Sequence, residues 1–169
     1  ALAKAARELD EPRYAKAAKE LATALKTNLW HKDGLWRASH NGQAVGEAAL
    51  EDYAYLAEGV HQLLQAQPDA GLAEWRDQLV DMAWQRFFSN LGWRSAEQNL
   101  IPGMGEKSVE TDGALRAAPA VLMALTQALG RHADNLQQAA LLTRKAVHEH
   151  PFWHISPFIY RDHKMIVME

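Results

Sequence analysis

The sequence predicts an all-α chain of antiparallel helical hairpins with short β-hairpin loops, on three observations. Apolar residues recur at three-to-four spacing through five long segments. Segments with one apolar face alternate with segments that are apolar nearly all round, as outer and buried helices do. Breaker residues gather between them, Asn41-Gly42 in one connection and Gly92, Pro102, Gly103, Gly105 and Gly113 in another.

Residues 1–9 carry the pattern of a helix's last turns, and the chain starts there without Met, so it reads as the C-terminal fragment of a longer protein. Asp10-Glu11-Pro12 restarts a helix, with Asp10 as cap and Pro12 in the first turn. Tyr14, Ala17, Ala18, Leu21, Leu25 and Asn28 give helical spacing through Leu29, and Lys16, Lys19, Glu20 and Lys26 lie off that face. Residues 30–49 lose the period. Leu35 to Ser39 followed by Asn41-Gly42 predicts a short strand and a tight turn.

The segment 50–65 is the central helix. Leu50, Tyr53, Ala54, Ala57, Val60, His61 and Leu64 form one face, Leu56, Gly59 and Leu63 a second row, and Glu51, Glu58, Gln62 and Gln65 the polar stripe. Pro68-Asp69 stops it and caps an outer helix, 69–88, with Leu72, Trp75, Leu79, Met82, Ala83 and Arg86 on one side. Residues 89–113 form a connection long enough to suggest a role beyond linking. A second buried helix follows at 115–129, with Pro119 in its first turn and Gly130 at its end. Asp134 is expected to cap a last outer helix reaching about His150. Residues 151–169 read as an extended tail, with a strand at 164–168. All of this fits one helical domain over 1–169.

Composition narrows the function classes. Hydrophobic residues make up 48% and charged residues 23%, the balance of a globular domain. A net charge of −3 gives no electrostatic case for nucleic acid or an anionic membrane. Cysteine is absent, which removes disulfide and thiolate chemistry. There is no secretory signal and no bilayer-length apolar run, so the expected location is cytoplasmic.

A faint internal repeat is present. Two outer helices end in aromatics (Trp30; Phe87 and Phe88), and each is followed by Trp-Arg (Trp36-Arg37; Trp93-Arg94). Phe152-Trp153 follows the last one. Repeated helical pairs bury a core only by stacking, so inner and outer layers joined in this order describe an α/α toroid or an arc of one.

Three stretches resemble a known family: Tyr14 through Leu29, then Asp33-Gly34-Leu35-Trp36-Arg37, then Leu50-Glu51-Asp52-Tyr53-Ala54. They are similar to the C-terminal α/α-toroid portion of the thioredoxin-domain proteins related to spermatogenesis-associated protein. Lys107 and Thr111-Asp112-Gly113-Ala114 resemble the family's next motif. Where the family continues with Pro-Ser-Gly-Asn, residues 115–119 here read Leu-Arg-Ala-Ala-Pro. The resemblance implies a six-hairpin-glycosidase-like toroid related to sugar epimerases and glycosidases. It also implies a thioredoxin-like domain and further hairpins ahead of this segment as partners.

The candidate chemistry lies where buried helices begin. If consecutive helices are antiparallel, the two buried ones run in the same direction and their N-termini share a rim. That expectation places Asp52 and Asp112 together as catalytic candidates, with Glu51 beside them, since glycoside hydrolysis uses a carboxylate pair. Trp36, Arg37, Tyr53, Trp93, Glu106 and Lys107 are the candidate substrate-binding residues. The alternative is that Asp52 and Asp112 only cap their helices. Trp75, Trp84 and His61 read as core. His148, His150 and His154 lack a metal-ligand spacing, so neither metal nor cofactor is expected. Three functions stay open: a sugar-processing module, a non-catalytic binding module, and a structural half-toroid. Ala-rich residues 1–6 and the Trp-bearing loops are expected to be uncovered, which would favour a homo-oligomer.

Overall fold

A computed structural model of the chain describes residues 1–97 and 113–149, with the side chains of 145–149 excepted. Among them are six helices and five short strands. The helices are α1 (Leu2–Glu8), α2 (Pro12–Leu29), α3 (Leu50–Ala66), α4 (Ala70–Phe87), α5 (Ala118–Leu129) and α6 (Ala133–Glu149). The strands are β1 (Trp30–His31), β2 (Gly34–His40), β3 (Gln43–Glu47), β4 (Phe88–Ser89) and β5 (Gly92–Trp93). The chain is thus mainly helical with small antiparallel hairpins, and it divides into two compact units, 1–82 and 83–169. The strand expected at 164–168 and the end of the last helix at His150 lie outside the described residues.

In the first unit α1 packs on both α2 and α3, and α2 packs on α3. Ala3 and Ala6 are buried there, so residues 1–6 are not the uncovered apolar patch their composition suggested. Pro12 opens α2 as expected, because a first-turn residue needs no N–H partner within the helix. Its cap differs from the expectation: Asp10 adopts a left-handed backbone (φ 51) to turn the chain, and Glu11 takes the cap position.

Helix α2 runs straight into β1, which pairs with β2 in the register Trp30 to Leu35 and His31 to Gly34. Strand β2 continues into β3 through Asn41-Gly42, both at positive φ. That is the backbone a two-residue hairpin needs to match strand twist, and it is why Asn-Gly stands there. Helix α3 buries Leu50, Tyr53, Ala54, Ala57, Val60 and Leu63, while His61 and Leu64 are half-buried and Gly59 is exposed. Its buried surface is therefore centred nearer Leu63 than the two-row reading suggested.

In the second unit the core is aromatic. Trp84, Phe88 and Trp93 form a mutual cluster with ring centroids 4.7–5.0 Å apart, and His132 stacks on Trp84. The Trp84 indole N–H donates to Thr126 Oγ1 at 2.8 Å, and that hydroxyl donates to the Leu122 carbonyl. Helix α5 is buried over most of its length and ends at Gly130 in the left-handed region. It starts at Ala118, three residues later than expected, and Leu115 is 67% exposed. Pro119 sits in its first turn. Asp134 lies within the first turn of α6 rather than at its cap.

The internal repeat is sharper in three dimensions than in sequence. Pro12 and Ala70 open helices of 18 residues, and Leu29 and Phe87 close them, each 58 residues apart. Helices α1 and α3 end at the same interval, Glu8 and Ala66. Each 18-residue helix then enters a two-residue strand, a two-residue turn, and a buried glycine at φ 119 (Gly34) or 126 (Gly92). Only glycine adopts that backbone without strain, so the hairpin is fixed there. Structure thus pairs Trp93 with Leu35, not with Trp36; the Trp-Arg alignment is off by one residue.

Candidate functional site

The amino end of α3 brings together three predicted site residues. Arg37, on β2, reaches across with its Nε 3.1 Å from Asp52 Oδ2 and an Nη2 3.3 Å from Glu51 Oε1. Asp52 Oδ2 also accepts the Ala49 backbone N–H at 2.8 Å. One carboxylate therefore caps the helix start and anchors the hairpin's arginine. The strand register places Trp36 opposite Glu47 and Ala38 opposite Val45, so that Arg37 and Gly46 lie side by side between those two pairs. Arg37, Glu51 and Asp52 are open to solvent (52, 60 and 29% exposed side chains). Pairs of that kind contribute about 0–1 kcal/mol each.

The aromatic candidates behave differently. Tyr53 is fully buried, and its hydroxyl accepts the Leu35 N–H at 2.8 Å. It ties the hairpin strand to α3 and presents no ring face to a ligand. Trp93 is 1% exposed within the aromatic core, so it too is unavailable for stacking on a sugar. Trp36 and Trp93 lie in strands, not irregular loops. Trp36 is half-buried, edge-on to His31. Asp112, Glu106 and Lys107 lie outside the described residues, as do His150 and His154 and the side chain of His148. Trp75 and Trp84 are core, as expected.

Two features had no sequence signal of their own. Lys26 Nζ lies 5.7 Å from the Trp75 ring centroid and donates to the Gly71 carbonyl at 3.1 Å, while Trp30 meets Trp75 edge to face. Lys19 also pairs with Asp69, whose carboxylate caps α4 at the Leu72 N–H. The ammonium and then that N–H hold Asp69 below the usual carboxylate range. On α3, His61 is held below the usual imidazole value, first by burial and then by Arg76, whose guanidinium lies 3.5 Å from its Nδ1.

The outer face of α2 carries a shallow groove of about 590 Å³, lined by Lys16, Lys19, Glu20, Thr23, Thr27 and Gln67 among others. It has no aromatic wall. Among the described residues no cluster of three His, Asp or Glu side chains is placed to hold a metal ion. Nor is any described helix long and apolar enough to cross a membrane.

Comparison with protein-family models, with curated proteins and with solved structures finds no match to this chain.

Proposed function

We propose that the chain is a non-catalytic packing module, an arc of an α/α toroid that associates with further helical repeats. The observation that carries this reading is the state of the carboxylate end of α3. Asp52 holds the Ala49 N–H and Arg37, and Glu51 shares the same guanidinium. Tyr53, next along, is spent on the Leu35 N–H. Each group that a sugar-directed site would use there has a structural bond instead. The repeat spacing supports the same reading, because stacked units gain stability mainly from their neighbours. The partners implied are the preceding hairpins and the thioredoxin-like domain of the resembled family.

The test is calorimetric titration of the chain with mono- and oligosaccharides, alongside a product assay. The packing reading expects neither heat nor product, and expects Asp52→Asn to lower thermal stability alone. Sugar turnover that disappears in a folded Asp52→Asn variant would restore the carbohydrate-processing reading.

A further inference from the structure

We infer that one side of α2, carrying Tyr14, Ala17, Leu21, Ala24 and Asn28, is a docking seam for the corresponding helix of one further copy of the same repeat, laid parallel to α2. The inference rests on the packing-module reading and names the partner for it.

The five positions follow spacings of three, four, three and four, the pattern of a helix–helix seam. Four of the five are apolar or aromatic. Leu21 is 52% exposed, Ala24 and Asn28 are exposed, and Tyr14 and Ala17 are half-buried.

The repeat shows what covers such a seam. The positions equivalent to Tyr14, Ala17 and Leu21 on α4 are Leu72, Trp75 and Leu79, at 5, 0 and 0% exposure. At Trp75 the cover comes from α2: Trp30 packs edge to face at 6.3 Å and Lys26 lies over the ring. The contact is parallel. Lys19 meets Asp69, Lys26 meets Gly71 and Trp75, and Trp30 meets Trp75, so partners rise together along both helices. Moving that arrangement back by one repeat puts a helix of α2's kind against Ala17, the counterpart of Trp75, with Leu21 one turn further along the same side. The chemistry of that helix follows: a basic residue and an aromatic near its C-terminal end, with a lysine about two turns before that basic residue for Glu11, which stands where Asp69 stands. The covered contact between α2 and α4 and the open seam lie on opposite flanks of α2, so the seam continues an interface already formed.

The test uses the whole chain with residues 9–66 duplicated, so that residues 1–66 are followed by 9–169. The upstream α2 then covers the downstream one and keeps its own seam open. Leu21→Lys in the downstream copy should lower the thermal midpoint by roughly 5 °C or more, because a buried lysine costs more than an exposed one gains. The same change in the upstream copy should leave the midpoint within about 1 °C, as surface substitutions do. If the downstream lysine prevents folding, Leu21→Ala in each copy replaces it, with the same inequality expected. Equal effects in the two copies overturn the inference. So does a natural chain that sediments as an oligomer and becomes monomeric on Leu21→Lys, since a second copy of the chain would then hold the seam. Sugar titration on the unaltered chain reads the packing-module reading separately from either result.

Discussion

Helices α2 and α4 have the same length, enter the same kind of strand pair and stop before a glycine of nearly the same φ, yet they are buried to different degrees. Helix α4 buries Leu72, Trp75, Leu79, Val80, Ala83, Trp84 and Phe87. Helix α2 buries only Ala18 and Ala22. Leu79 is fully buried and its counterpart Leu21 is 52% exposed. Where a helix ends is therefore a local matter, fixed by the backbone at Gly34 and Gly92. How much it contributes to stability depends on what lies beside it. The same helix design serves as a core element in one repeat and as an edge in the other.

The largest expected difference is at the cores. Trp84→Ala removes the centre of the aromatic cluster and the partner of Thr126, and is expected to cost about 3–5 kcal/mol by denaturant unfolding. Leu79→Ala should cost about 2–5 kcal/mol. The counterpart Leu21→Ala should stay within about 0.5 kcal/mol of the parent. A Leu21→Ala loss as large as that of Leu79→Ala would erase the comparison.

The next effect concerns the tie between the first hairpin and α3. Tyr53→Phe leaves the buried Leu35 N–H without its acceptor, which costs about 1–3 kcal/mol. Unchanged stability in that variant would mean that the bond is not needed to seat the hairpin. Asp52→Ala should follow at about 0.5–2 kcal/mol, the usual loss for a helix-start bond. Glu51→Gln should be close to neutral, since its pair with Arg37 is exposed.

The smallest effect is with pH. His61 is held below 6.5 in the folded chain, so below that value the unfolded chain binds a proton the folded chain does not. Stability should therefore decline as pH falls through 6.5 and level off once pH is under the folded pKa. His61→Gln should flatten thermal midpoints measured between about pH 8 and pH 5; an unaltered slope would assign the dependence elsewhere. Asp69 acts at lower pH and in the usual carboxylate sense. Its folded pKa lies below 3.8, so its contribution is present above that value and is lost as pH falls through the folded pKa.

Much of this comparison is legible in the sequence. Pro12, Pro119, Asp69, Asn41-Gly42 and Gly130 each mark a boundary through their own backbone chemistry, and each does so in the structure. Periodicity finds the helices, and misses the start of α5 because Leu115 is apolar yet exposed. The repeat is visible but misregistered, because matching tryptophans draw the eye more than matching glycines. Gly34 and Gly92 are the better anchors, since a positive φ restricts residue choice where an aromatic position does not. At the candidate site, Arg37 meets Asp52 and Glu51, a contact the sequence alone does not name, and the expected partner of Asp52, Asp112, lies outside the described residues. The burial of Tyr53 follows from its place on the apolar face of 50–65, but the use of its hydroxyl was not legible, because its partner, the Leu35 N–H, lies 18 residues earlier in the chain.

The central claim is that α2 is an edge and α4 a core helix of one repeated design. Residue-resolved native-state hydrogen exchange measures this most directly. Amides of α4 from Leu79 to Phe87 should exchange only through opening close to global unfolding. Amides of α2 around Leu21 and Ala24 should exchange through smaller local openings, many-fold faster. Equal protection along the two helices would contradict the account.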